Sequence, residues 1–109
     1  MLAGAIVIGA RYLTRDFRER EALLRPLLAT NAPLESVVAS AGYFTVMRRG
    51  TPMWDQALSR YSSGSKWDKR IAAKLSNTSA YGHTSTMYVQ TWIFLDEHDR
   101  LVDFEIGTQ

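Results

Sequence analysis

The sequence predicts an α+β fold in which helices pack on one face of a three-stranded antiparallel sheet that ends in a C-terminal β-hairpin. Three observations support this expectation. Apolar residues recur at helical spacing in several segments before residue 76. Residues 43–47 are rich in aromatic and β-branched types, which favours a strand. Residues 87–106 hold two apolar runs around an acidic turn, the pattern of a hairpin.

The length of 109 residues suits one domain, and a content of 46% hydrophobic and 22% charged residues is typical of a chain that folds around a core. A short uncharged run precedes the amphipathic part of the chain. We therefore divide the sequence into an apolar N-terminal segment, residues 1–13, and a single α+β domain, residues 14–109.

Two helices are expected at the start of this domain. Residues 14–29 carry leucines at helical spacing, and Pro26 should kink or split that helix near Arg25. Pro33 fits the first position of a second, short helix that runs to about Ser40, and Gly42 suits its C-terminal cap.

The middle of the chain predicts two further helices and a loop. Thr51 before Pro52 is typical of an N-cap followed by proline at the first helical position. Ser65 and Asp68 have the spacing of a capping box. Residues 76–86 are polar and contain Gly82, so we expect a loop there.

The last third of the chain predicts the hairpin. Both faces of the strand 87–95 carry large apolar groups, so we expect this strand to be central in its sheet. The following strand alternates, with Val102, Phe104 and Ile106 expected inward. Asp103 and Glu105 are then expected on a solvated face, which suits an edge strand.

Two segments resemble the SmpA/OmlA family of small outer-membrane lipoproteins, which shares the fold of the β-lactamase-inhibitor protein. Residues 33–42 look like that family's short helix ending in glycine. Residues 91–104 look like its closing hairpin, in which an apolar strand turns through acidic residues into a second apolar strand. The family's lipid-bearing cysteine is absent here. The resemblance implies a non-enzymatic bacterial envelope protein that binds other proteins.

The apolar run 2–10, ended by Arg11, leaves three interpretations open. It is the tail of a longer signal anchor, a short anchor with Arg11 and Arg15 at the membrane interface, or a buried element of the fold. The first two predict membrane attachment through residues 1–13 and, with the resemblance, a periplasmic location. The arginines after the run favour a cytoplasmic domain instead.

Charge is unevenly distributed although the net charge is only +2. Residues 48–74 are basic and residues 96–105 are acidic. These regions attract each other in the fold, bind two different partners, or form solvated surface.

No catalytic signature is present, and we expect neither a cofactor nor a bound metal. The chain has no cysteine, which excludes a disulfide framework and a thiol nucleophile. His83 and His98 fall in predicted polar loops, where solvated histidines are the usual finding. A pocket enzyme or ligand binder of the small cone-shaped α+β type remains an alternative, with polar residues inside its cavity: Tyr88, Gln90, Trp92 and Asp103.

The sequence therefore predicts a domain that binds a protein partner without catalysis. The candidate contact residues are Arg48, Arg49, Lys66, Lys69 and Arg70, with Tyr43 and Trp67 as secondary candidates. A nucleic-acid-binding module built on the basic region is the third alternative, because Trp54, Tyr61 and Trp67 lie among its charges. Their positions on apolar helix faces favour core packing, and the low net charge argues against nucleic acid as the partner.

Overall fold

A computed structural model describes the backbone of residues 2–108 and the side chains of residues 15–108. Over this range the chain is an α+β fold with four helices and one four-stranded antiparallel sheet of order β1-β2-β3-β4. In chain order the elements are α1 Leu2–Ala29, α2 Leu34–Ala41, β1 Thr45–Arg48, α3 Pro52–Ser62, α4 Lys66–Ser76, β2 Ala80–Ser85, β3 Val89–Leu95 and β4 Leu101–Thr108.

Helix α1 is longer than predicted and passes through Pro26 without ending, so the expected split near Arg25 is wrong. Leu24 is fully buried against the sheet, and Leu27 and Leu28 pack beside it. This packing outweighs the backbone hydrogen bond that proline removes. Side chains of residues 1–14 lie outside the described part of the structure. Within the described part, no helix is both long and apolar enough to cross a membrane.

The predicted caps at Gly42, Thr51 and Ser65 are confirmed, whereas Pro33 is the extended N-cap residue of α2 and not its first helical position. Gly42 ends α2 with φ of +96°, a backbone conformation that glycine adopts without strain. The Thr51 side chain accepts a hydrogen bond from the backbone N–H of Trp54. Ser65 and Asp68 form both hydrogen bonds of a capping box. Local sequence chemistry therefore fixes where α2, α3 and α4 begin or end.

The sheet has four strands rather than three, because residues 80–85 form β2 and not the expected loop. Strand β2 lies between β1 and β3, with His83 paired to Thr45 on one side and to Trp92 on the other. A Cβ atom at Gly82 would come within 2.9 Å of both Ile93 Cγ1 and Phe44 Cβ. The glycine that suggested a loop is needed for close packing inside the sheet.

Helices cover both faces of the sheet, which corrects the expectation of packing on one face. A first hydrophobic cluster joins α1 and α2 to one face through residues such as Leu24, Val37 and Ile93. A second cluster joins α3 and α4 to the opposite face through Trp54, Ile71, Leu75, Tyr81, Trp92 and Phe94. The large apolar groups on both faces of β3 require this arrangement, since each face needs cover from water.

Strand β3 is internal, as predicted, and β4 forms one edge of the sheet. The predicted facing of β4 is partly wrong. The register shifts between Phe94 and Leu95, and Val102 is 42% exposed while Leu101 is fully buried. A one-residue irregularity of this kind reverses which side chains point to which face.

Candidate functional site

An open cavity of about 410 Å³ lies between α3 and the sheet, on the face of the second cluster. This volume is within the range of small-molecule sites. Strands β1, β2 and β3 supply its floor, and α3 supplies its wall and mouth. The lining residues are Thr45, Met47, Met53, Gln56, Ala57, Arg60, Tyr61, Tyr81, His83 and Trp92.

Aromatic rings form the floor of the cavity. Tyr81 stacks on Trp92 with ring centroids 5.4 Å apart and planes 28° apart. Tyr61 approaches Trp92 edge-on at 5.2 Å, and the His83 ring lies 4.4 Å from it. Antiparallel pairing causes this grouping, because His83 stands opposite Trp92 in the register and Tyr81 follows at alternate spacing. Trp92 and Tyr81 are almost fully buried in this group, so the half-buried Tyr61 and His83 rings supply the aromatic surface that a planar group can reach.

Hydrogen bonds fix the orientation of the central tryptophan. Trp92 Nε1 donates to Gln90 Oε1 at 2.9 Å, and Gln90 Nε2 donates to the Thr108 carbonyl oxygen at 3.0 Å. Each restrains a side chain that would otherwise rotate. The floor is therefore preorganised, which lowers the entropic cost of binding.

His83 contributes a polar atom without a hydrogen-bond partner. Its Nε2 is buried and has no partner among the described residues. Burial lowers the pKa of His83, and a side-chain hydrogen bond with Gln90 acts in the opposite direction. Burial also raises the pKa of Tyr81, with a smaller contribution from Tyr61. At neutral pH the floor thus carries a neutral imidazole and a neutral phenol.

The mouth of the cavity has a different chemistry from its floor. Arg60 and Gln56 are exposed there, and Met53 is 57% exposed. The cavity therefore joins a neutral aromatic floor to a cationic rim.

The predicted position of His83 in a solvated loop is wrong, because residues 80–85 form strand β2 and the His83 side chain borders the cavity. The available signal was the alternation of Tyr81 and His83 with the small residues Ala80 and Gly82. Such alternation is typical of a strand with one crowded face.

The predicted partner-contact residues do not form a single surface. Arg48 makes a bidentate ion pair with Asp99, with atoms 2.8 and 2.9 Å apart. That pairing raises the pKa of Arg48 and lowers the pKa of Asp99. Arg48 therefore ties β1 to the turn before β4, although its side chain stays 58% exposed.

Arg49 binds the end of α4. Its guanidinium donates to the Thr78, Ser76 and Leu75 carbonyl oxygens at 2.6, 2.7 and 3.2 Å from Nη2, and it lies over the Trp54 ring. The Leu75 and Ser76 carbonyl oxygens belong to the last turn of α4, which lacks partners within the helix, and the Thr78 carbonyl follows it. Of the three, the Leu75 oxygen also accepts a hydrogen bond from the Thr78 N–H. The structure thus gives Arg49 an internal role.

The other candidates lie elsewhere. Lys66 and Lys69 are exposed in the first turn of α4, about 15 and about 10 Å along the helix from the end that Arg49 caps. Trp67 is half-buried and packs against Gly107, where an added Cβ would lie 2.7 Å from its ring. Tyr43 is 78% exposed before β1.

The basic middle and the acidic end of the chain attract each other within the fold, one of the three possibilities that the charge pattern left open. Lys74 Nζ lies 2.7 Å from Glu105 and 2.9 Å from Asp103, and Arg70 Nε lies 3.4 Å from Glu105. Burial lowers the pKa of Lys74, but its hydrogen bonds with Glu105 and Asp103 outweigh that effect and leave the pKa above its ordinary value. Asp103 and Glu105 therefore face α4 rather than open solvent.

The residues proposed for an enzyme-like cavity are only partly brought together. Trp92 lines the cavity, and Gln90 accepts a hydrogen bond from the Trp92 indole N–H. Tyr88 instead packs with the first cluster, and Asp103 forms an ion pair with Lys74. The aromatics considered for nucleic-acid stacking belong to the second cluster, and Trp54 is only 2% exposed. Core packing explains them, as their helical spacing predicted.

The β3–β4 turn has the expected exposed character. Asp96 Oδ1 accepts hydrogen bonds from the backbone N–H groups of His98 and Arg100, which shapes the turn. Among residues 15–108, no group of three histidine or acidic side chains is arranged to hold a metal ion.

No protein-family model, curated protein or solved structure matches this chain, so the resemblance based on residues 33–42 and 91–104 stays a proposal.

Proposed function

We propose that this chain is a non-catalytic binding domain that takes a small, flat aromatic ligand in the cavity between α3 and the sheet. The observation that carries this proposal is the preorganised aromatic floor around Trp92. A second cavity, of about 470 Å³, lies between α2 and the β3–β4 turn. That cavity has no Phe, Tyr or Trp in its lining and borders the carboxylates of Glu35 and Asp99, so it offers less to an aromatic ligand.

The chemistry of the cavity indicates an anionic substituent on the ligand. Because Tyr81 and Trp92 are only 7% and 2% exposed, a bound ring gains its contact area mainly from the half-buried Tyr61 and His83 rings and from exposed Met53. Arg60 at the rim suits a carboxylate, which it binds in a bidentate manner. The neutral imidazole and phenol on the floor add no opposing charge. Aromatic carboxylates are therefore the preferred ligand class.

The test is titration of the 15N-labelled full chain with indole-3-carboxylate and with indole as its neutral analogue. We expect shifts at Trp92, Tyr81 and His83, and tighter binding of the carboxylate. Arg60→Gln should remove the difference between the two probes, a loss of roughly tenfold in affinity for the carboxylate. Lys69→Gln removes an exposed charge outside the cavity and serves as the matched control.

Ala57→Trp provides the blocking variant, because Ala57 lines the cavity and a large ring there would fill it. A folded Ala57→Trp protein should bind neither probe. Equal binding by this variant and by the unaltered chain would place the ligand elsewhere and refute the proposal.

A protein partner on the exposed side of α4, in the setting of a bacterial envelope, is the second proposal. Lys66 and Lys69 support it, because both are exposed and neither forms an ion pair within residues 15–108. Crosslinking to a partner should be lost in the Lys66→Glu, Lys69→Glu double variant and retained in Arg48→Glu. Loss in both variants, or in neither, would contradict this surface.

A further inference from the structure

The end of the sheet that carries the β2–β3 turn gathers exposed apolar side chains. Tyr43 precedes β1 at this end, since Thr45 pairs with His83, and it is 78% exposed. Met87 lies in the turn itself and is 81% exposed. Leu23 of α1 is 41% exposed beside Thr86 of the same turn. Three exposed large apolar side chains therefore lie at this one end of the sheet.

Helix α1 leaves the domain at the same end. Its residues Asp16 to Leu23 border Ala41 at the end of α2 and Thr86 in the β2–β3 turn, and Arg20 donates to the Ala41 carbonyl oxygen. Its last turn lies at the opposite end, where Asn31 binds the Leu101 carbonyl oxygen. Since each residue advances a helix by about 1.5 Å, the turns before residue 15 continue beyond the β2–β3 end.

Those earlier turns carry the uncharged apolar run of residues 2–10. We call the β2–β3 end with Leu23, Tyr43 and Met87 the tip of the domain. Helix α1 joins this tip directly to the most apolar segment of the sequence. Arg15 and Arg18 are exposed between the two and alternate with Asp16 and Glu19, of which Glu19 lies 3.7 Å from Arg15. The acidic β3–β4 turn, with Asp96, Glu97 and Asp99, lies at the far end of the sheet. A tyrosine and arginines next to an apolar helical run are the residues found at the level of lipid headgroups.

We infer that the β2–β3 end of the domain, through Tyr43 and Met87, seats directly in the interface of a lipid bilayer beside the apolar start of α1. The membrane is thus contacted by the folded domain and not by residues 1–13 alone. This orientation directs the acidic turn away from the lipid and leaves the cavity at the side of the domain. The inference is independent of the ligand proposed for that cavity.

The absence of cysteine allows a single-site test in the full chain. A nitroxide label is attached to Met87→Cys, and its matched control is attached to Glu97→Cys in the exposed turn at the opposite end. Both are measured with vesicles of phosphatidylcholine and phosphatidylglycerol. We expect the label at 87 to gain accessibility to oxygen and lose accessibility to a nickel chelate, while the label at 97 stays accessible to nickel.

Each other outcome overturns the inference. Vesicle binding with both labels still in water would mean that the apolar run anchors the protein alone. Absence of vesicle binding would remove the membrane from the proposal. Spin–spin broadening at position 87 without lipid would show that a second copy covers the tip.

A second measurement uses substitutions that exposed positions tolerate. The Tyr43→Ser, Met87→Ser double variant should bind vesicles roughly tenfold more weakly, because interfacial affinity scales with buried apolar area. Val102→Ser, at the opposite end of the sheet, should bind like the unaltered chain. Equal weakening by both changes would show a general loss of apolar surface and refute a specific tip.

Discussion

Adjacent arginines at the end of β1 have different structural roles. Arg48 forms an exposed ion pair with Asp99, whereas Arg49 satisfies carbonyl oxygens at the end of α4 and covers Trp54. Exposed pairs contribute little because water and salt screen them, while donors to otherwise unpaired carbonyls are costly to remove.

We therefore expect Arg49→Ala to lower the free energy of unfolding by about 2 kcal/mol. Arg48→Ala should lower it by less than about 1 kcal/mol. Urea denaturation followed by circular dichroism measures both. A larger effect for Arg48 than for Arg49 would contradict the capping role.

His83 gives the protein a pH-dependent stability. Burial lowers its pKa below the ordinary value of 6.5, so the unfolded chain takes up a proton at a higher pH than the folded chain. The stabilisation is complete above pH 6.5 and is lost as the pH falls through the folded pKa of His83. The slope should reach at most about 1.4 kcal/mol per pH unit.

Denaturant unfolding at several pH values between about 7 and 5 tests this expectation. The carboxylates of Asp96 and Asp99 have pKa values lowered from 3.8 and titrate below this window. His83→Gln should flatten the profile. A profile unchanged by His83→Gln would show that another group is responsible.

At the scale of elements, Gly82 allows β2 to lie between its neighbours. An added methyl group would meet Ile93 and Phe44 at 2.9 Å. Gly82→Ala should therefore destabilise the protein by about 1–3 kcal/mol through overpacking. Ser85→Ala, exposed on the same strand, is the control and should change the midpoint little. A thermal melt that shows no difference between the two would indicate that Phe44 and Ile93 move aside at little cost.

The docking of α4 on β4 depends on Lys74. Its ammonium neutralises Asp103 and Glu105, and the Glu105 side chain is only 17% exposed. Lys74→Gln would leave the largely buried Glu105 carboxylate with only the more distant Arg70 as its cation, and we expect a loss of about 1–3 kcal/mol. Lys69→Gln on the outer side of α4 should cost less than about 0.5 kcal/mol. Guanidinium unfolding at fixed ionic strength compares them, and equal effects would argue against the ion-pair cluster.

For the whole molecule, two hydrophobic clusters share a single sheet. Leu24 belongs to one cluster and Leu75 to the other, and both are fully buried. Because β1, β2 and β3 contribute side chains to both clusters, we expect the clusters to unfold in one cooperative transition.

Leu24→Ala and Leu75→Ala should each lower stability by about 2–5 kcal/mol. All three tryptophans lie in the second cluster, so their fluorescence reports that side alone. Leu24→Ala should nevertheless shift the fluorescence transition together with the circular dichroism transition. If Leu24→Ala left the midpoint of the fluorescence transition unchanged, the two clusters would unfold independently.

The sequence by itself determined the features that depend on near neighbours. Gly42, Thr51 and Ser65 define the caps of their helices because each interaction spans only three or four residues. Successive side chains of a strand point to opposite faces of the sheet. Large apolar groups on both faces of β3 therefore indicated a strand that is covered on both sides and lies inside the sheet.

Only the tertiary structure decided the rest. Strand β2 exists because β1 and β3 supply hydrogen-bond partners on both sides, and its polar, glycine-containing sequence gives little local preference for a strand. The internal roles of Arg49 and Lys74, and the cavity around Trp92, depend on contacts between residues 11 to 31 positions apart in the sequence. Such contacts form only when chain folding offsets the entropy of closing the intervening loops, so no local pattern encodes them.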